Sequence, residues 1–170
     1  TAVADADEKA TKLAEAEDNK TNVDDVQNPI ITQKETEKTA LETDLKNVND
    51  TIDAQNQIIN NAQNTIEDLT DKGFLGMEDS KYEKATKTLA AGLGHYETYW
   101  FFGEHKYWVG NTQDDLDKAQ AVVDKYNKAV SDKAAAESEL ASANTIKNDL
   151  DGQISSLNKD IQAAKDAKAA

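Results

Sequence analysis

The chain contains no cysteine and no arginine, a single proline, a single methionine, and no apolar run longer than a handful of residues. Each absence removes a class of function. Without cysteine there is no disulfide, no thiolate metal site and no cysteine nucleophile. Without arginine all 19 basic residues are lysines, so bidentate guanidinium contacts to phosphate, carboxylate or guanine cannot form. The most hydrophobic stretch, residues 99–102, is far too short to span a bilayer. No P-loop, GxSxG, GxGxxG, EF-hand or HExxH frame occurs. With no nucleophile–base constellation either, neither an enzyme nor a cofactor is expected.

What the chain does have is acid and segregation. Its formal net charge is −14 over 170 residues. Residues 71–113 hold five Lys and six Asp/Glu, close to neutral, so nearly all the excess lies on the flanks. Acidic flanks repel nucleic acid and anionic lipid, which excludes a nucleic-acid partner and disfavours membrane contact. The same 71–113 segment holds nine of the ten aromatics, both histidines, the methionine and six of the seven glycines. Aromatics carry the largest burial energies and the best binding contacts, so an aromatic island between polar flanks marks a distinct tip.

The flanks read as helices. Leu41, Leu45, Val48, Ile52, Gln55, Ile59, Ala62, Ile66 and Leu69 follow an unbroken alternation of four and three, a heptad seam. A second seam runs Ala119, Val122, Tyr126, Ala129, Lys133, Ala136, Leu140, Ala143, Lys147, Leu150, Ile154, Leu157, Ile161 and Ala164. The fold class expected is mainly α: a long antiparallel α-helical coiled-coil hairpin with a small aromatic-rich α or α+β tip. Residues 1–70 form the ascending arm, 71–113 the tip and 114–170 the descending arm. Within the first arm, a short helix over 1–20 (stripe Val3, Ala6, Ala10, Leu13) precedes a break near Asn28-Pro29, because proline lacks the ladder N–H. A long helix then covers 30–70. Pairing Leu69 near Ala119 sets Gln55 opposite Lys133 as a register-fixing polar pair. Thr112 and Asp115 form a start signal for the second arm.

Within the tip, Asp79 and Ser80 read as N-caps of a short helix presenting Tyr82, Ala85, Leu89 and Leu93, closed by Gly92 and Gly94. Residues 95–102 are rich in strand formers, 103–106 read as a turn and 107–109 as a return strand, with a helix over 95–102 as the competing reading. A tip of this size either uses its rings as a small core or offers them as a platform. Four consecutive aromatics on a strand face both ways, so about half the rings are expected in the core and the rest exposed. The candidate ligand-binding residues are Tyr99, Trp100, Phe101, Phe102, His105, Tyr107 and Trp108, with polar contacts from Glu97, Glu104, His105 and Lys106. His95 and His105 lie in no metal-ligand frame and read as surface or hydrogen-bonded residues.

Lysine-only basicity, absent cysteine, heptads rich in Asn, Asp, Thr and Ala, and the stretch Gln33-Lys-Glu-Thr-Glu-Lys-Thr-Ala-Leu-Glu resemble the coiled-coil regions of cell-wall-anchored surface proteins of Gram-positive bacteria. Surface-exclusion and adhesin stalk proteins of lactobacilli and enterococci are the nearest group. The resemblance covers the two arms and carries no functional residue over. It implies a fragment of a larger extracellular, cell-surface protein. The expected function is an adhesin-type module whose tip binds a host or bacterial glycan or glycoprotein. The alternatives are a structural spacer whose tip closes the hairpin or self-associates weakly, and a tip that dips Trp100, Phe101 and Phe102 into a membrane interface.

Overall fold

The computed structural model describes residues 2–170. In chain order they form α1 (Ala2–Thr70), one 3-10 turn (Phe74–Gly76), α2 (Lys81–Ala91), β1 (His95–Trp100), β2 (Glu104–Val109) and α3 (Gln113–Ala169). The protein is mainly helical, with one two-stranded antiparallel sheet. Among the described residues no helix is long and apolar enough to cross a membrane.

Burial follows the heptad positions. Every seam residue named above, in both arms, is buried or half-buried, and the residues between them are mostly exposed. The fully buried apolar side chains are largely alanines, among them Ala62, Ala119, Ala129, Ala136, Ala143 and Ala164, joined by Leu69, Leu150 and Ile161. Alanine removes little area from water, so each helical turn contributes only modestly to stability.

The chain divides into two compact units, one built from α1 up to Ile52 with α3 from Ser142 onward, the other from Asp53 to Ala141. In the first unit α1 and α3 run in opposite senses, tied by Lys34–Asp160 at 2.9 Å, Lys165–Glu35 at 2.9 Å and a bond from Lys168 Nζ to Asn28 Oδ1 at 2.8 Å. Here the sequence expectation is corrected. α1 is helical through Pro29, with no separate short helix over 1–20 and no loop. Proline deletes one ladder donor, a cost of about 3 kcal/mol. Asn28, Lys34 and Glu35, on either side of it, contact α3. The seam also stays in phase across the proline, since Asp24, Gln27, Ile31, Lys34 and Lys38 are half-buried at the same alternation of three and four. Asp24 Oδ1 is buried there without a hydrogen-bond partner. Residues 2–23 of α1 are exposed throughout.

In the second unit Gln55 donates to Glu139 at 2.6 Å, while Lys133 pairs along its own helix with Glu137. The partner of Gln55 therefore lies six residues beyond Lys133, about 9 Å along the helix. The expected polar pair of Gln55 and Lys133 is thus not made, each side chain taking a carboxylate instead. α2 begins at a capping box. Ser80 accepts from the Glu83 N–H, and the Glu83 carboxylate accepts from the Ser80 N–H. Ser80, rather than Asp79, is the cap. Lys81 Nζ reaches both carboxylate oxygens of Asp68 at 2.7 and 2.9 Å, and the Tyr82 and Tyr126 rings meet at 4.2 Å. These contacts seat α2 against the end of α1 and the first part of α3. Thr112 and Asp115 cap α3 reciprocally, in keeping with their spacing.

Candidate functional site: an exposed aromatic hairpin

Between α2 and α3 the chain makes a β-hairpin, the strand reading of residues 95–102 rather than the helical one. Its register pairs His95 with Val109, Tyr96 with Trp108, Glu97 with Tyr107, Thr98 with Lys106, Tyr99 with His105 and Trp100 with Glu104. The apex is thus Phe101-Phe102-Gly103, not the 103–106 turn expected, and His105 and Lys106 belong to the second strand. The Phe101 N–H donates to the Gly103 carbonyl across the apex at 2.9 Å. Phe102 takes φ 52°, in the left-handed region, and Gly103 takes φ 135°. A bulky residue at positive φ is the reason the turn lies elsewhere than expected, because glycine, asparagine and aspartate are the residues that ordinarily mark such positions.

The base of the hairpin is a glycine crossing. A Cβ on Gly94 would collide with the Val109 carbonyl oxygen and lie 2.8 Å from the Gly110 carbonyl carbon. Only two glycines let the chains pass this closely. Asn111 fastens the crossing to α2: its side-chain amide donates to the Thr88 and Gly92 carbonyls at 3.2 and 3.1 Å, and its own carbonyl accepts from the Gly94 N–H at 2.8 Å.

Strand alternation sorts the side chains onto two faces. One carries His95, Glu97, Tyr99, His105, Tyr107 and Val109, the other Tyr96, Thr98, Trp100, Glu104, Lys106 and Trp108. On the first face Tyr99 stacks on His105 with centroids 5.3 Å apart and planes 23° apart, and meets Tyr107 edge-on at 5.7 Å. The Glu97 carboxylate accepts the Tyr107 hydroxyl at 2.9 Å and contacts His95 Nε2 at 3.1 Å. The Tyr107 bond, then the His95 contact, lowers the Glu97 carboxyl below the ordinary glutamate value, and the same carboxylate raises the Tyr107 phenol. On the second face Tyr96 meets Trp108 edge-on at 5.0 Å, and the Trp108 indole N–H donates to the Gly110 carbonyl at 3.1 Å. At the apex the Phe101 and Phe102 rings touch each other at 4.9 Å, and the Phe101 carbonyl bonds His105 Nε2 at 2.9 Å.

All seven residues singled out from the sequence fall on this one element, and all seven are exposed. Phe102 keeps 90% of its surface, Trp100 79% and even Trp108 37%. The expected division, with half the rings in a core, does not occur. The rings meet one another across the strands instead, and the buried residues of the tip are Ala85 and Ser80. Tyr96, 68% exposed, belongs with the seven although the sequence does not single it out; its place opposite Trp108 is visible only once the strand register is known. A second exposed apolar group, Phe74, Leu75 and Met77, sits in the turn before α2, with Leu75 also in the left-handed region at φ 56°.

Among the described residues no three His, Cys, Asp or Glu side chains gather to hold a metal ion. Comparison of the chain with family models, with curated proteins and with solved structures finds no match.

Proposed function

We propose that this chain is an adhesin-type binding module of a bacterial cell-surface protein, in which coiled-coil helices support the hairpin and the hairpin's aromatic residues engage a glycan or glycoprotein. The observation that carries the reading is the exposure of every hairpin ring together with the left-handed Phe102. A large apolar ring held in water, on a backbone conformation that opposes it, is disfavoured twice over within the folded chain. Such strain and exposure concentrate where a partner later covers the group. Trp and Tyr are also the residues that contribute most at recognition surfaces.

A spacer whose tip only closes the chain would be expected to bury its rings against α2 and α3, and the hairpin's rings do not do so. The heptad-spaced burial in both helices supports the coiled-coil part of the proposal, and the acidic, arginine-free composition supports the cell-surface part. The test is adhesion of the intact chain to glycan- and glycoprotein-coated surfaces, compared with Tyr99→Ala on one face of the hairpin and Trp108→Ala on the other. Binding abolished in either variant at an unchanged melting temperature supports the module. Variants that melt earlier and alter no adhesion would return the hairpin to a structural role.

A further inference from the structure

The two faces of the hairpin are chemically unlike. The Tyr99 face holds a carboxylate whose position is fixed from two sides, by the Tyr107 hydroxyl and His95 Nε2, yet the Glu97 side chain remains 46% exposed. Each carboxylate oxygen has accepted one contact and retains acceptor capacity. Beside it lie the flat rings of Tyr99, His105 and Tyr107. There is no lysine on this face; Lys106, the hairpin's one lysine, belongs to the other.

Resting on the binding-module reading, we infer that the ligand is a neutral or amino sugar seated on the Tyr99–Tyr107 face, with Glu97 accepting from its hydroxyl or ammonium groups. Ring faces suit the C–H surface of a pyranose, and an oriented carboxylate suits its hydroxyls. An apolar peptide or a lipid tail would strip water from Glu97 and return nothing, a costly way to bury a charge. A sialylated or sulfated glycan would bring a second anion to a face with one carboxylate and no lysine, on a chain of net charge −14. Charge therefore selects among sugars as well as against lipids. Because Glu97 is held before any ligand arrives, little ordering remains to oppose binding.

The experiment uses the whole chain, immobilised. The probes are oligosaccharides ending in galactose, mannose, N-acetylglucosamine or glucosamine, sialylated and sulfated counterparts, and phosphatidylcholine vesicles. Capture of one or more of the neutral or amino sugars is expected, weakened about ten-fold or more by Glu97→Gln, since a bond to a charged acceptor is among the stronger kinds. Tyr107→Phe, which frees the carboxylate but keeps the ring, is expected to weaken capture less. Thr98→Ala, on the opposite face, should leave it unchanged. Tryptophan emission reports whether each variant keeps its hairpin, and Tyr107→Phe serves should Glu97→Gln lose it. Capture of only acidic glycans, or neutral capture indifferent to both Glu97→Gln and Tyr107→Phe, overturns the sugar assignment and leaves the binding module standing, whereas binding to vesicles alone overturns both. Capture of none of the probes overturns the sugar assignment, and the same chain's failure to adhere to glycoprotein-coated surfaces as well overturns the binding module.

Discussion

Replacing Phe102 by asparagine separates a ring that holds the hairpin together from one that serves a partner. Phe102 sits at φ 52° with 90% of its surface in water, and its one ring neighbour is Phe101. A side chain with an ordinary Cβ at such a φ costs about 1–2 kcal/mol, which asparagine partly relieves by bonding locally to the backbone. Against that relief stands the edge-on pairing of the two phenylalanine rings, which is worth about 0.5–1.5 kcal/mol and has no counterpart in the variant. The two nearly cancel, so the variant hairpin should be within about 1 kcal/mol of the parent in stability. A phenylalanine that anchored a core would instead cost about 3–5 kcal/mol on truncation. Far-ultraviolet dichroism reports chiefly on the helices, but both tryptophans lie in the hairpin, so a thermal or urea transition followed by tryptophan emission reads this element directly. A destabilisation approaching the core-truncation range would refute the reasoning, because it would mean that the ring supports the fold. Retained stability with diminished adhesion is the outcome expected.

Two further perturbations follow from the hairpin's base and its polar face. Gly94→Ala places a methyl group against the Val109 carbonyl, where the two nearest neighbours are backbone and the third is the Trp108 indole nitrogen, so the crossing has to open; tryptophan signals of the folded hairpin should disappear while helical dichroism persists. The Glu97–Tyr107 bond contributes within a neutral window closed at both ends. The Glu97 carboxyl is lowered, so its contribution is complete above the ordinary glutamate range and disappears as pH falls through the folded value. The Tyr107 phenol is raised, so its contribution is complete below the ordinary tyrosine range and disappears as pH rises through the folded value. Absorbance titration of tyrosinate should find a late-ionising component that is absent in Tyr107→Phe and moves to lower pH in Glu97→Gln.

The helical part is legible because burial on a helix repeats with the heptad, and apolar residues at 41–69 and 119–164 report that repeat directly. Where seam positions are polar the report fades. Asp24, Gln27, Lys34 and Lys38 continue the same buried stripe, but no apolar pattern announces them; the lysines lay their stems along the seam, and Lys34 carries its ammonium out to Asp160. At Pro29 the local rule predicts a break, and the helix instead runs on through it, with contacts to α3 on either side. The partners of Gln55 and Lys133 escape too, since each seam polar residue has a neighbouring carboxylate within reach. In the tip, composition correctly marks one element as unusual, and the strands follow from their formers. The apex does not, because Phe102 occupies a conformation that residue statistics assign to others. The exposure of the rings exceeds expectation because size and apolarity say how much a side chain gains from burial, not whether the fold offers it a place.

Asn111 has a mechanical meaning. It stitches the C-terminal end of α2 to the hairpin's base, and the residue after it caps α3. A pull applied at Phe102 loads both strands in the same direction, so the cross-strand bonds are not peeled apart one by one. The tension passes through Gly94 and Gly110 and divides between α2 and α3. Under traction the hairpin would move as a single hook, with its base held to α2 by Asn111.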